Sequence, residues 1–276
     1  MDQQMVKILK VSFDNVSKKD ALAKIFFWLQ EKTQRQISTP NPEMLLEALK
    51  NPKFREILNH SDLKIPDGIG ILWAAKYLDT IKGNRSKIIK KAKWFSSLCS
   101  VILRPSYIRH PLTERVTGVD LMESICAQAA TNSEDKIFLL GAGEGVAELA
   151  KEKLVAKYPG IKITGVYAAS PSEKEEQEIK KRIDKSEANI LFVAYGAPKQ
   201  EIWISRNLKN FKSVQIAMGI GGAFDFIAGA RKRAPQLMSK MGLEWLYRLI
   251  QEPKRIKRIY NATVKFPIAV LKKALK

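Results

Sequence analysis

The pattern that most restricts the fold lies between residues 137 and 222. Four short apolar runs, Ile137 to Leu140, Ile161 to Tyr167, Ile190 to Tyr195 and Val214 to Ile220, alternate with segments of helical character. Strands separated by helix-length segments cannot pair as tight hairpins. They pair in parallel through helical crossovers, which cover both faces of the sheet. The first run ends in Gly141-Ala142-Gly143-Glu144-Gly145, the third in Gly196-Ala197-Pro198 and the fourth in Gly221-Gly222. The expectation is an α/β fold: a Rossmann-like, mostly parallel sheet flanked by helices, with its ligands at the carboxyl ends of the strands.

The amino-terminal half follows the same alternation less regularly. Lys7 to Phe13 alternates apolar and polar residues and reads as one strand, and Ser17 reads as the N-cap of a helix over Ala21 to Leu29. Gln36 to Thr39 is a short strand stopped by Pro40 and Pro42, and Met44 to Leu58 has helical periodicity with a break at Pro52. Leu63 to Ile65 is a strand ended by the turn signal Pro66-Asp67-Gly68, and Ile69 to Leu78 resumes as helix. Ser172 reads as the cap of a charged helix running to Asp184.

Charge divides the chain further. The 276 residues carry 48 Lys/Arg and 28 Asp/Glu, a net charge of +20. Residues 81–110 hold eight Lys/Arg and no acid, and residues 231–276 hold thirteen against Glu244 and Glu252, so these two stretches supply nearly all of the excess. A near-neutral body with two basic additions suits a catalytic domain that meets a polyanion. The division expected is a catalytic domain over 1–229, with a basic amphipathic segment inserted at 81–110, and a basic helical appendage over 230–276. Within the inserted segment, Lys87, Lys90, Lys91 and Lys93 fall among Ile88, Ile89, Trp94 and Phe95, followed by Leu98, Val101, Ile102 and Leu103. Such interleaving suits an anionic lipid surface better than a nucleic acid, and the run is too short to span a bilayer. MDQQMVKILK has no apolar stretch of signal-peptide type, and Cys99 and Cys126 form no C-x-x-C pair, which fits a reducing compartment.

Several motifs carry candidate chemistry. Gly141 and Gly143 let backbone N–H groups approach a phosphate at a helix N-terminus, or simply make a tight turn. The spacing is not G-x-G-x-x-G, and the next strand lacks the acid that would hold a dinucleotide ribose. Asp67 is either a general base at the sheet edge or a turn aspartate bonded to its own backbone. Thr39 and Asn41, in Thr39-Pro40-Asn41-Pro42, can present a hydroxyl and an amide to a sugar, while Asn41 also reads as a helix cap ahead of Pro42. Gly196, Lys199 and Gln200 open another helix at a strand end. His60 and His110 have no ligand partners at metal-binding spacing, and no D-x-D triplet occurs. No metal and no cofactor are expected, so charge on a leaving diphosphate falls to Arg and Lys.

Taken in order, Thr39-Pro40-Asn41-Pro42-Glu43, Pro66-Asp67-Gly68-Ile69-Gly70, Glu114-Arg115-Val116-Thr117-Gly118, Gly196-Ala197-Pro198-Lys199-Gln200-Glu201, Gly219-Ile220-Gly221-Gly222-Ala223-Phe224-Asp225, Arg233-Ala234-Pro235 and Glu244-Trp245-Leu246-Tyr247-Arg248 resemble the WecG/TagA/CpsF glycosyltransferase family. The resemblance covers nearly the whole chain except 81–110. It implies the GT-E fold and a metal-independent, inverting transferase. Such enzymes add N-acetylmannosamine or a related sugar to an undecaprenyl-diphosphate-linked acceptor in surface polysaccharide synthesis. It makes Asp67 the general base and Thr39, Asn41, Arg115 and Gln200 pocket residues. The mechanism expected places a UDP-sugar at the carboxyl edge of the sheet, near Gly141–Gly145 and Gly221–Asp225, a stretch that includes Gly222. Arg248, Arg255 and Arg258, with Arg233 on the same basic stretch, would cover the diphosphate. The location implied is cytoplasmic, peripheral on the inner face of the plasma membrane, and a homo-oligomer is compatible with it. The rival readings are a methyltransferase or other Rossmann-like transferase using the glycine turn, and a charge-driven nucleic-acid binder.

Overall fold

The structure is a computed structural model that describes residues 5–231, 234–235, 238 and 244–276. Eight strands occur among these residues: β1 Val6–Ile8, β2 Val11–Phe13, β3 Arg35–Ser38, β4 Leu63–Lys64, β5 Lys136–Gly141, β6 Lys162–Tyr167, β7 Ile190–Ala194 and β8 Ile216–Gly219. The helices of the first half are α1 Lys18–Gln30, α2 Pro42–Lys50, α3 Pro52–His60, α4 Ile69–Thr80, α5 Lys87–Leu103 and α6 Gly118–Ala129. Those of the second are α7 Val146–Lys157, α8 Glu176–Ser186, α9 Lys199–Asn207, α10 Ala223–Ile227, α11 Glu244–Gln251, α12 Ile256–Tyr260 and α13 Phe266–Ala274.

Strands β3 to β8 form one six-stranded sheet in the order β4-β3-β8-β7-β5-β6, and every pairing in it is parallel. Alternation along β5 explains the two covered faces. Ile137 and Leu139 point into a core shared with α1, α6 and α7, while Phe138 and Leu140 point into a second core shared with α8 and α9. The edge strand β4 is secured from the side by Asp14, whose carboxylate accepts from Lys64 N at 2.8 Å and lies 3.6 Å from the buried Lys64 Nζ.

One expected strand is corrected. Residues 7–13 do not run straight but fold into the antiparallel hairpin β1–β2, turning at Leu9 and Lys10, which take φ of 46° and 73°. No Gly, Asn or Asp marks the turn, and a two-residue turn preserves the apolar alternation, so the pattern reads as one strand. The other elements lie where the sequence puts them. Ser17 caps α1 in a reciprocal box with Asp20, and the helix expected over 44–58 is two helices that meet at Asn51-Pro52.

The expected boundary at residue 229 falls between α10 and α11. Beyond it, the chain returns to the body. Phe266 and Val270 of α13 are fully buried in a third core with Trp73 and Tyr77 of α4 and the β1–β2 hairpin. The Phe266 ring meets Trp73 edge-on, with centroids 6.5 Å apart. The end of the chain is therefore part of what keeps α4 packed. Phe266→Ala is expected to lower unfolding stability by about 3–5 kcal/mol, read from urea denaturation. A loss under about 1 kcal/mol would show that α13 is only loosely attached.

Candidate functional site

The loops leaving β3, β4, β7 and β8 border one cleft of about 520 Å³ at the carboxyl edge of the sheet. Thr39 and Asn41 come from the first loop, Asp67 from the second, Gly196 and Gln200 from the third, and Gly219 to Gly222 from the fourth. Arg115 and Thr117 reach it from the segment ahead of α6. Arg231, Arg255 and Arg258 border it from the chain beyond α10. A wider hollow of about 720 Å³ opens at the amino ends of the strands, beside Lys32, Arg35 and Lys136, and takes in none of these loops.

Backbone hydrogen bonds fix the loops against one another. Asp67 N donates to Pro40 O at 3.1 Å, joining the loops after β4 and β3, and Val116 N donates to Pro66 O at 3.2 Å, joining the Arg115 segment to both. Thr117 caps α6 through Asp120 N, and Gly118 brings that helix against Thr39, whose Oγ1 lies 3.3 Å from where a Cβ on residue 118 would stand. Asn41 is the cap of α2. Its Oδ1 accepts from Glu43 N and Met44 N at 3.0 and 3.1 Å, which leaves the amide N–H₂ as its group for a ligand. Asp67 is half-buried and Thr39 nearly fully so.

Gln200 holds the other side. Its Oε1 accepts from Gly196 N at 3.0 Å and Gly221 N at 2.9 Å, so one amide ties the turn after β7 to the turn after β8. The side chain lies so close to β8 that a Cβ on Gly219 would stand 2.6 Å from Nε2, and only glycine fits there. Nε2 in turn donates to Glu201 Oε1 at 2.7 Å. Glu201 is buried, its second oxygen has no hydrogen-bond partner among the described residues, and burial pushes its carboxyl up to about 7.

Four arginines and two carboxylates line the cleft, a net positive field in a confined space. The arginines beyond α10 are braced by acids. Arg231 lies 3.3 Å from Asp225 and 3.3 Å from Glu252, Arg255 Nε donates to Glu252 at 2.7 Å, and Arg258 Nε donates to Glu43 at 2.8 Å. A rigidly held guanidinium loses little entropy when it meets a phosphate oxygen.

The sequence profile described as the Glycosyl transferase WecG/TagA/CpsF family matches residues 6–107 and 100–276. The chain belongs to this family. It is a glycosyltransferase. The chain is 31% identical to the N-acetylglucosaminyldiphosphoundecaprenol N-acetyl-beta-D-mannosaminyltransferase of Staphylococcus aureus (strain MRSA252) over 98% of its own length and 94% of the relative's. The protein of the same name from Staphylococcus aureus (strain MW2) is 31% identical over the same shares.

In this glycosyltransferase the cleft gathers Thr39, Asn41, Asp67, Arg115, Gly196, Gln200, Gly221, Gly222, Arg255 and Arg258 from the sequence-derived set. It does not include Gly141 and Gly143, which lie one strand over at the end of β5, nor the exposed Lys199 at the start of α9. Asp225 stands behind the wall, as the brace of Arg231. Arg233 and the side chain of Arg248 lie outside the described residues. Sequence reasoning missed Arg231 and the brace Glu43. Charge alone does not choose one arginine from a basic stretch, and Glu43 stands out only once Arg258, 215 residues later, is beside it.

Glu201 gives the cleft a pH signature. A carboxyl whose folded pKa of about 7 lies above its ordinary 4.5 binds its proton more tightly in the folded state. Its contribution to stability is full below 4.5 and is lost as pH rises from there to about 7. Glu201→Gln keeps an acceptor for Gln200 and cannot ionise. Urea titrations are expected to show the parent losing up to about 3 kcal/mol across that window relative to the variant. A parallel pH dependence in the two proteins would show that Glu201 ionises without cost.

Proposed function

We propose that the enzyme is an inverting, metal-independent transferase that moves N-acetylmannosamine or a related sugar from a UDP-sugar to a sugar carried on undecaprenyl diphosphate. The observation that carries this reading is the meeting of Asp67 with four arginines in one cleft at the carboxyl edge of a parallel sheet. The acceptor named in the Staphylococcus aureus relatives supports the acceptor class.

The step follows from that arrangement. An acceptor hydroxyl oxygen attacks the anomeric carbon while its proton passes to the Asp67 carboxylate. The bond from that carbon to the diphosphate oxygen breaks on the opposite face, and its electron pair leaves with UDP. Guanidinium groups of Arg115, Arg231, Arg255 and Arg258 take up the growing negative charge, the work a divalent cation would otherwise perform. The backbone at Gly221, with open space where a Cβ would stand, admits the nucleotide diphosphate closely. Asp67→Asn is expected to slow transfer by about 10²-fold or more while UDP-sugar binding persists. Turnover near the parent's would remove Asp67 from the mechanism, and activity abolished by EDTA and restored by Mg²⁺ or Mn²⁺ would remove the arginines from theirs.

The membrane reading needs a narrower set of residues than the sequence suggests. Helix α5 exposes a stripe of Ile88, Phe95 and Leu103, with relative exposures of 81%, 68% and 77%, and Cys99 lies on the same side. Lys87 and Lys91 flank that stripe and are exposed. Two of the four lysines assigned to a lipid surface are instead structural: Lys90 Nζ donates to Ala274 O at 2.7 Å and Lys93 Nζ to Thr80 O at 3.0 Å, each meeting a carbonyl at a helix C-terminus. Trp94 also turns inward, its Nε1 donating to Pro267 O at 3.0 Å. Among the described residues no helix is long and apolar enough to cross a membrane. The outer stripe of α5 lies flat on an anionic leaflet, held by exposed cations at roughly 1 kcal/mol each. Replacing Lys87 and Lys91 with Glu is expected to reduce sedimentation with anionic liposomes severalfold while soluble UDP-sugar binding is retained. Equal sedimentation at physiological salt would exclude α5 as the contact.

A further inference from the structure

Helix α5 has a second apolar face. On its inner side Ser97 accepts from Trp73 Nε1 at 3.0 Å, and the Trp94–Pro267 hydrogen bond locks the helix to the start of α13. Next to these locks Leu98 and Val101 line the cleft, together with Ala262 and Pro267 from the last part of the chain. Ala262 lies in a π-helical turn, Asn261–Lys265, that joins α12 to α13 one turn beyond Arg258. One side of the cleft is therefore mostly carbon, since the hydroxyl of Thr263, which also lines it, is turned to Ile259 O at 2.8 Å, and this side begins where the arginines end.

That wall limits what can sit against it. Nucleobase, ribose, sugar and diphosphate all carry polar atoms that lose water on entry, and the side chains of Leu98, Val101, Ala262 and Pro267 return no hydrogen bond. The only part of either proposed substrate without polar atoms is the hydrocarbon tail of the acceptor. Arg255 and Arg258 lie beside the wall, which suits a molecule whose diphosphate is followed directly by hydrocarbon.

We propose that the inner face of α5, through Leu98 and Val101, forms a subsite for the first isoprene units of the acceptor's polyprenyl chain. The helix then has two lipid-facing roles, with the outer stripe on the bilayer surface and the inner face on a single tail drawn up from it. This inference rests on the acceptor class proposed above. Each methylene withdrawn from water is worth about fourfold in affinity, so losing contact with one isoprene unit costs about tenfold or more.

The test compares two water-soluble acceptors in the absence of any membrane: N-acetylglucosaminyl diphosphate bearing a farnesyl group, and the same diphosphate bearing a methyl group. The enzyme is expected to prefer the farnesyl compound. Leu98→Gln makes the wall polar, and Val101→Trp fills the groove. In both variants the ratio of kcat/KM for farnesyl over methyl acceptor is expected to fall about tenfold or more. A ratio within twofold of the parent's in either variant would overturn the subsite. Loss of activity on both acceptors alike would also overturn it, because the wall would then serve the fold or the chemistry rather than the tail. If the parent enzyme used neither acceptor, the proposed function itself would fail, and the subsite with it.

Discussion

The Gln200 amide is the interaction on which the cleft depends. Parallel strands deliver their ligand-facing loops to one edge of the sheet, but adjacent loops are free to splay unless something ties them. Here a single side-chain oxygen accepts from Gly196 N and Gly221 N, binding the turns after β7 and β8 to each other. On the far side the Asp67–Pro40 and Val116–Pro66 backbone bonds do the same for the loops after β4 and β3. The result is a preorganised rim in which Asp67 and the glycine backbone hold fixed positions.

Glu201 shows how such a rim is kept in one arrangement. A buried carboxyl with one oxygen that has no partner among the described residues is costly, and an apolar residue would cost less. Its compensation is orientation. It accepts from Gln200 Nε2, which leaves Gln200 Oε1 facing the two glycine N–H groups. A flipped amide would set N–H against N–H. The stiffness of the cleft thus traces to a two-residue polar network beneath it.

The second half of the site comes from the end of the chain. Ion pairs from Arg258 to Glu43 and from Arg231 to Asp225 join it to the α/β body, and burial of Phe266 and Val270 anchors it in the core around Trp73. Helix α5 packs against the same anchor through Trp94 and Pro267. The rim, the basic wall and helix α5 therefore share one packing unit, which couples the exposed apolar stripe of α5 to the cleft.

By itself the sequence determined the architecture and most of the rim. Apolar runs alternating with helical segments specify a parallel sheet, because period-two burial on both faces has few other solutions. Strand-end motifs such as Thr39-Pro40-Asn41 and Pro66-Asp67-Gly68 are local, so their position at the carboxyl edge follows from chain order. What only the tertiary structure decided is pairing at a distance. It separated Lys90 and Lys93, which bind helix-end carbonyls, from Lys87 and Lys91, which stay exposed. It brought Arg231 to the cleft and left Gly141 and Gly143 one strand away. It also turned Leu98 and Val101 inward while Ile88, Phe95 and Leu103 face out. An amphipathic helix with apolar residues on two sides has no unique inside until another surface packs against it, and here that surface is made jointly by α4, just before it in the chain, and by Pro267, 173 residues beyond Trp94.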